Sequence, residues 1–408
     1  MSEQSERQER GLMIAAKVKL TQKGDVWRVP SQSGYKPYYE VDPESQRCTC
    51  PDFEKREAKC KHIYAVEYTL ERESSTTTTI DGDTTTTTTT ETVKVTKRVT
   101  YKQDWPAYNE AQTQEKALFQ KLLHDLCSNI MEPQQRRGRP RLSYRDMIFA
   151  AAFKVYSTMS SRRFITDLNE AQEKGYIEKT PHFNSIFNYL ELECLTPILH
   201  QLITVSGLPL KALETSFAVD SSGFSTTEYV RWYNAKYGKE VDNHDWIKVH
   251  LMTGVKTHVV TSVEITGRHD HDEPMLPPLV EETAANFNVK EVSADKAYSS
   301  TDCHDAIAKV GATPYIAFKS NATGAVGGLF QKMFHFYQYK RDEFLTHYHQ
   351  RSNVESTFSM VKGKFGGSIR SKGKVAQTNE VLCKILCHNL CVLVQSMFEF
   401  GIEPRFAA

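Results

Sequence analysis

Apolar residues along the chain follow two spacings, helical in the middle of the sequence and strand-like after residue 214. Between residues 101 and 209 they recur every three or four positions, as in 115–130 and 145–159, which predicts mostly helices. Further along, short apolar runs alternate with periodic segments. We predict the order three strands, helix, strand, helix, strand, helix. This order is typical of an α/β domain with one mixed sheet flanked by helices.

The predicted elements of this second region have definite bounds. The strands are 216–219, 246–252, 258–265, 289–294 and 314–318, and the second and third form a hairpin around Thr253-Gly254. The helices are 273–286, 302–310 and 379–400. The last helix is apolar on most of its faces, so we expect it to be buried.

A threonine-rich stretch separates a small N-terminal module, residues 12–73, from the rest. Residues 74–100 hold few large apolar side chains, which predicts a linker without a core of its own. A long threonine strand is the alternative, because threonine favours β structure.

Composition excludes some classes of protein. The chain has 408 residues, of which 39% are hydrophobic and 25% charged, so most of it should be globular. The net charge of +1 gives no global sign of nucleic-acid binding. No apolar run is long enough to span a membrane, and the first residues lack the apolar core of a signal peptide. We therefore expect a soluble intracellular protein, in which the nine cysteines are thiols or metal ligands.

A metal-binding pattern lies in the N-terminal module. Cys48-x-Cys50 is followed by nine residues and then by Cys60-x-His62. Three thiolates and one imidazole make a closed tetrahedral set suited to structural Zn²⁺. The pattern resembles the SWIM zinc finger, which implies binding of DNA or protein rather than catalysis. Unliganded side chains in a small core are the alternative.

Four polar residues near the C-terminus share one helical face. Tyr348, Arg351, Glu355 and Lys362 fall within a roughly 60° sector of a helix. A neighbouring apolar stripe would seat this helix on a core; it consists of Val354, Phe358, Val361 and Phe365. An acid beside a phenol, a guanidinium and an ammonium suits the binding of phosphates next to a metal.

Two aspartates upstream complete this group. Asp220 ends the apolar run 217–219, and Asp295 ends the run 289–294. Two aspartates at strand ends and Glu355 on a helix can converge on a pair of divalent metals.

These three acids and the Y-R-E-K helix resemble the DDE transposases of prokaryotic insertion sequences, over roughly residues 210–395. The resemblance implies a ribonuclease H-like catalytic domain, residues 211–400. It implies that Asp220, Asp295 and Glu355 hold Mg²⁺, or Mn²⁺ in its place, with Asp220 bridging two metals. It also implies that Arg351 and Lys362 grip phosphates and that Tyr348 positions DNA or a neighbouring ligand.

Basic residues cluster in two further places. Arg137, Arg139 and Arg141 lie in an Arg-Gly-Arg-Pro segment that resembles an AT-hook core and would lie in a minor groove; a solvated linker is the alternative. We expect residues 101–210 to form a helical DNA-binding region, with a helix-turn-helix between 143 and 202. The second cluster could follow a phosphate backbone; it consists of Lys362, Lys364, Arg370, Lys372 and Lys374.

Two other groups could in principle bind metal. Asp270 and Asp272 lie in the segment His269-Asp270-His271-Asp272-Glu273, but we interpret them as a loop and a helix N-terminus. Cys383, Cys387 and Cys391 recur every four residues, which favours a buried helical stripe of thiols.

The leading hypothesis is a transposase that binds element ends, cleaves them to free a 3′-hydroxyl and transfers that hydroxyl to target DNA. We expect double-stranded DNA as the partner, a homodimer in the synaptic complex, no membrane, and a cytoplasmic, nucleoid-associated location. A protein partner of the zinc module stays open. The alternatives are a transposase-derived DNA-binding regulator and an adaptor that acts through its zinc module, both without turnover.

Overall fold

A computed structural model of the chain contains two compact units, Met1–Lys102 and Gln103–Ala408. It describes residues 3–18, 20–32, 37–70, 74–81, 84–91, 104–135, 137–138, 140–227, 236–238, 245–319 and 322–406. The two units are described separately below.

The first unit packs three helices on a small antiparallel sheet. The sheet has four strands in sequence order, β1 Thr21–Lys23, β2 Val26–Pro30, β3 Tyr38–Asp42 and β4 Arg47–Cys48. The helices are α1 Glu3–Lys17, α2 Pro51–Arg56 and α3 Lys61–Leu70. Gly11 lets α1 approach α3 closely, because a Cβ there would lie 2.5 Å from Cβ of Tyr64. Helix α1 was not predicted, because polar residues dominate its first half.

The threonine-rich segment forms a β-hairpin. Strands β5 Ser74–Asp81 and β6 Thr84–Glu91 pair antiparallel, and Asp81 faces Thr84 at the turn. The alternative of threonine strands is therefore confirmed for these residues. Residues 92–100 of the predicted linker lie outside the described part of the chain.

A five-stranded mixed sheet forms the centre of the second unit. The strands are β7 Ser216–Ser225, β8 Trp246–Gly254, β9 Val260–Thr266, β10 Glu291–Ala294 and β11 Thr313–Ile316. Their order is β11-β10-β7-β8-β9, with β7 to β9 antiparallel and β10 and β11 parallel to β7. Helices α9 Leu276–Asn286 and α10 Thr301–Lys309 follow β9 and β10. This is the arrangement expected of a ribonuclease H-like fold.

Helices from both ends of the second unit share one hydrophobic core with the sheet. They are α4 Trp105–Cys127, α5 Tyr144–Ser157, α6 Ser161–Glu173, α7 Phe183–Leu190, α8 Leu195–Gly207 and, at the other end of the unit, α14 Lys374–Glu399. Asn389 of α14 joins them, since its amide group exchanges hydrogen bonds with Val260 and donates to Ser206. The helices expected to form a separate DNA-binding region are thus built onto the sheet, and their binding of DNA remains a prediction.

Helix α14 is long and apolar enough to cross a membrane by length and composition alone, so the prediction that no apolar run reaches this length is wrong. The fold gives it another role, because 72% of its most apolar stretch is buried inside the protein. The prediction of a buried final helix is therefore confirmed.

The segment that carries the Y-R-E-K residues is not one continuous helix. Helices α11 Gly328–Tyr339 and α12 Arg341–Tyr348 precede a 3₁₀ turn, His349–Arg351, and then α13 Ser352–Phe365 follows. Tyr348 thus ends one helix, Arg351 lies in the turn, and Glu355 and Lys362 lie on α13. The expected single helical face is wrong in this respect, because the chain tightens at 349–351 where the turn packs against β7 and β10.

Candidate active site and zinc centre

Strands β7 and β10 bring the two aspartates together. In their parallel pairing Ala294 is the partner of Val219, so Asp295 follows β10 beside Asp220 on β7. Neighbouring strands lie about 4.8 Å apart. The Oδ1 atom of Asp295 accepts a hydrogen bond of 2.7 Å from the Lys296 N–H, which fixes the carboxylate where the strand ends. The structure therefore brings the two aspartates together. Asp220, however, lies in the middle of β7 and not at a strand end as predicted, because the strand continues to Ser225 in its pairing with β8.

Helix α13 supplies the third acid. Its apolar stripe is buried as predicted, and the helix packs on β7 and β8. Glu355 lies on the opposite side, with 55% of its side chain exposed. The acid is thus accessible to a ligand while its helix is fixed on the core.

Arg351 links two of the three acids. Its Nη1 atom lies 2.8 Å from Oδ2 of Asp220, and its Nη2 atom lies 2.6 Å from Oε1 of Glu355. The guanidinium therefore bridges a carboxylate of the sheet and one of the helix. This contact was not predicted, because the sequence motif suggested phosphates as the partners of Arg351.

The three carboxylates act on one another electrostatically. Burial raises the pKa of Asp220 above its usual range, and the negative charges of Asp295 and Glu355 raise it further. The Ser221 N–H and Arg351 oppose this rise by stabilising the charged form. The pKa of Tyr348 is also raised by burial and by Asp295, while Arg351 lowers it. Tyr348 therefore lies close enough to Asp295 and Arg351 to be affected by their charges.

Lys362 lies on the same face of β7 as Asp220. Its Nζ atom donates a hydrogen bond of 2.7 Å to Oγ of Ser222, two residues beyond Asp220 on the strand. The ammonium lies 5.2 Å from the centre of the Phe224 ring, and burial lowers its pKa. A cation is thus fixed next to the acids.

A buried polar group behind Asp220 was missed by sequence reasoning. Tyr298 is almost fully buried, its hydroxyl lies 3.4 Å from Nδ1 of His250, and burial followed by the charges of Asp272 and Asp220 raises its pKa. Asp272 in turn lies 2.6 Å from the Lys248 ammonium. The residues come from separate strands and turns, so no local spacing in the sequence indicates them.

The rival metal clusters are not formed. Within the described ranges, the one closely spaced set of three or more metal-ligating side chains is the set in the first unit. Asp270 accepts a hydrogen bond from the Gly267 N–H in a loop, as interpreted from sequence. Cys383 and Cys387 are buried on α14, where the Cys387 thiol donates to the Ala152 carbonyl.

That set consists of Cys48, Cys50, Cys60 and His62. All four side chains are buried, and their ligand atoms lie within 4.8 Å of one another. Nδ1 of His62 is 3.8 Å from Sγ of both Cys48 and Cys60. Tetrahedral Zn²⁺ with Zn–S bonds near 2.3 Å separates its ligands by about 3.5–3.8 Å. The donor set therefore fits zinc in both chemistry and spacing.

The fold of the first unit explains this convergence. Cys48 ends β4, Cys50 precedes α2 and accepts a hydrogen bond of 3.4 Å from the Phe53 N–H, and Cys60 precedes α3, which carries His62. Two helix starts and one strand end thus meet at one point.

Glu132 caps the start of α5, directly after the arginine-rich segment. The carboxylate of Glu132 accepts hydrogen bonds from the Ser143 hydroxyl and the Tyr144 N–H, at 2.7 and 2.9 Å. Arg137 is exposed, and Arg141 donates to the Tyr144 hydroxyl at 3.3 Å. Arg136 and Arg139 lie outside the described residues. The AT-hook role remains a prediction.

Acids on and directly after two adjacent central strands of a ribonuclease H-like sheet, with cations beside them, define a class of metal-dependent enzymes that act on phosphodiester bonds. Comparison with known families agrees: the family model of the transposase DDE domain matches residues 211–390, and that of the SWIM zinc finger matches residues 35–71. These parts of the chain are therefore a transposase DDE domain and a SWIM zinc finger. No solved structure matches the chain.

A transposase DDE domain supports a transposase function and implies a metal-dependent enzyme that acts on DNA. The SWIM match and the Cys₃His set together support a structural zinc ion.

Proposed function

We propose that the protein is an active DNA transposase that cleaves the ends of an insertion sequence and transfers their 3′-hydroxyls to target DNA. One observation carries the proposal. Asp220 and Asp295 lie side by side on adjacent strands, and Arg351 joins Asp220 to Glu355. These three acids lie within the residues that match the transposase family.

The acids fit divalent metal ions by their chemistry. Three carboxylates lie together and one guanidinium pairs with two of them, so the group keeps an excess of negative charge. Burial raises the pKa of Asp220, and the charges of Asp295 and Glu355 raise it further. Hard oxygen donors suit Mg²⁺ or Mn²⁺. Asp220, Asp295 and Glu355 would hold the metal, with Asp220 shared between two ions. Bound ions supply an activated oxygen nucleophile and neutralise charge on the phosphate and the leaving oxygen.

The neighbouring cations would bind the DNA strand. Lys362 and Asp220 point from the same face of β7, so Lys362 would hold a phosphate next to the one that is cleaved. Arg351 would exchange a carboxylate for a phosphate oxygen, since its planar fork suits both anions. Tyr348, beside Arg351, would position the DNA strand or a neighbouring ligand.

The proposal extends to partners and location. The protein would bind double-stranded DNA at the element ends and the target, as a homodimer that holds two ends, and would act in the cytoplasm at the nucleoid. Zn²⁺ would keep the SWIM finger folded, and that finger would recruit DNA or a protein partner.

The test uses labelled DNA from both flanks of the gene. The full-length protein is incubated with Mg²⁺ and then Mn²⁺, beside the variants Glu355→Gln and Asp295→Asn. We expect cuts at a defined border with the unaltered protein and none with either variant, although both variants still bind DNA. Glu343→Gln is the matched control, because Glu343 is an exposed acid of α12 that pairs with Lys340, the residue directly before that helix.

Each outcome separates the alternatives. Cleavage that persists in Glu355→Gln shows that the assigned acids are wrong. DNA binding without cleavage in either metal favours the regulator, and the absence of both favours an adaptor that acts through its zinc module.

A further inference from the structure

A basic cleft of about 790 Å³ opens beyond the far end of β7, away from the three acids. Its polar lining comes from α5, from the start of α6 and from the loop before α14. The residues used below are Lys154, Ser160, Ser161, Arg370 and Lys372. No described residue that lines the cleft is acidic.

Lys154 is the most informative of these residues. Only 8% of it is exposed, and no hydrogen bond or ion pair engages its ammonium among the described residues. Burial lowers the pKa of Lys154, and the nearby charge of Arg370 lowers it further. Because burial disfavours the charged form of Lys154, an anion that enters this cleft and contacts the ammonium stabilises it.

The start of α6 offers hydrogen-bond donors at the same place. Ser160 has the extended backbone of an N-cap, yet its hydroxyl makes no capping bond. The first-turn N–H groups of this 13-residue helix therefore lack a side-chain cap. Such groups, together with the positive end of the helix dipole, bind anions such as phosphate. Lys154 and the helix start are independent features that point to the same kind of ligand.

The other charges around the cleft agree with an anion. Arg370 is fixed there because its Nη1 atom donates to the carbonyls of Thr158 and Met159, at 3.0 and 3.3 Å. Glu380 lies near Lys154, but its carboxylate accepts the N–H groups of Arg370 and Ser371. The acid therefore holds the loop in place, and Lys154 still has no direct partner.

The cleft lies in line with the candidate active site. Thr226 of its lining directly follows β7, and the Ser225 carbonyl accepts a hydrogen bond of 2.8 Å from the Ile369 N–H. Thr226 is six residues beyond Asp220, which corresponds to about 20 Å along a strand. Lys362 contacts β7 between these points, at Ser222. Cations thus follow the strand from the acids to the cleft.

We propose that this cleft is a phosphate-binding site that holds the backbone of the DNA strand at a distance from the cleaved bond. The inference deepens the proposed function and rests on it, since DNA is the ligand. The site binds phosphate through Lys154, the start of α6 and Lys372, and it carries no information on base sequence.

The test measures how DNA affinity depends on salt. The slope of log K against log[NaCl] is determined for the full-length protein with fluorescein-labelled duplex DNA of arbitrary sequence. Each phosphate contact contributes about 0.9 to this slope. We expect Lys154→Met to make the slope less steep, by about 0.9 in magnitude. Lys372→Met should also make the slope less steep. In the double variant the slope should change by no more than one phosphate contact, because both residues bind the same phosphate.

Two controls make the result interpretable. Lys309→Met removes an exposed lysine that pairs with Glu281, and it should leave the slope unchanged. Lys372 is exposed, so its variant keeps the test valid if Lys154→Met does not fold. Unchanged slopes in the folded variants overturn the proposal.

A second arm identifies the source of the phosphate. Inorganic phosphate is titrated into the DNA-free protein by calorimetry. Binding that Lys154→Met abolishes, together with an unaltered DNA slope, assigns the cleft to free phosphate and overturns the DNA site.

The slopes are measured without metal in the Glu355→Gln background, so they do not depend on cleavage. Altered slopes, together with no cleavage by the unaltered protein in either metal, support the cleft and refute the transposase. Cleavage with unaltered slopes supports the transposase and refutes the cleft.

Discussion

Arg351 is expected to compete with divalent metal for the carboxylates of the candidate active site. Its guanidinium contacts Oδ2 of Asp220 and Oε1 of Glu355. Metal ligation by these oxygens has to displace or weaken both contacts. We therefore expect Arg351→Gln to bind Mn²⁺ more tightly than the unaltered protein while it loses DNA cleavage, because the phosphate contact is lost.

The expected gain in Mn²⁺ affinity follows from the solvent exposure of the two ion pairs that Arg351 makes. The side chains of Arg351 and Asp220 are 22% and 20% exposed, so this charge-assisted bond is worth about 1–2 kcal/mol. Glu355 is 55% exposed and four residues from Arg351 on a helical segment, so its pair adds only about 0.3–0.5 kcal/mol. Because about 1.4 kcal/mol is a factor of ten, we expect roughly tenfold tighter Mn²⁺ binding.

The assay is a titration of Mn²⁺ into the full-length protein, followed by calorimetry. Glu355→Gln should bind Mn²⁺ more weakly, since it loses a ligand, and Glu343→Gln should match the unaltered protein. Equal or weaker Mn²⁺ binding by Arg351→Gln would refute the idea that the guanidinium competes with metal. Cleavage that survives in Arg351→Gln would refute its role at the phosphate.

Three further predictions concern stability. Removal of Zn²⁺ by a chelator should unfold the first unit, because structural zinc contributes about 10–16 kcal/mol, and Cys60→Ser should have the same effect. Limited proteolysis should then cut within residues 1–102. A unit that stays resistant to the protease would contradict this prediction. Burial lowers the pKa of His388 to about 4, whereas the unfolded value is near 6.5. Between these two pH values the unfolded state binds more protons than the folded state, so the folded protein loses stability as the pH falls through this range. Urea unfolding should show about 2 kcal/mol of this loss at pH 5, and His388→Gln should remove it; an equal loss in the variant would exclude His388 as its source. Glu115→Gln should lower the free energy of unfolding by about 2 kcal/mol, since it leaves the partly exposed Lys364 ammonium without its carboxylate partner. An unchanged midpoint of urea unfolding would show that the ion pair contributes nothing to stability.

The position of the acids could be predicted because it depends on local patterns. The runs before Asp220 and Asp295 are apolar enough to be buried strands, and their parallel pairing brings the two aspartates together although β7 continues to Ser225. The buried stripe of α13 likewise fixes which side of that helix faces solvent. Hydrophobic spacing therefore determined both the strands and the direction of Glu355.

The interruption of the Y-R-E-K segment could not be predicted in the same way. A 3₁₀ turn and an α-helix differ little in sequence preference, and here packing of residues 349–351 against two strands decides between them. The threonine hairpin is a similar case. Its pairing depends on a turn between two strands of nearly identical composition, which gives no alternation of apolar and polar positions.

Charge in the sequence also does not distinguish structural cations from cations that are available to DNA. Lys364 and Lys372 belong to the same predicted basic cluster, but Lys364 pairs with Glu115, which lies 249 residues away in the chain. Lys372 is exposed at the cleft instead. Lys154 shows the reverse, since it follows a run of apolar residues in α5 and yet presents an unpaired charge to the cleft. The salt dependence of DNA binding should therefore be unchanged in Lys364→Met and reduced in Lys154→Met, although only Lys364 lies in a basic segment. The opposite pattern would show that local charge density, and not the pairing of each side chain, determines where the DNA backbone binds.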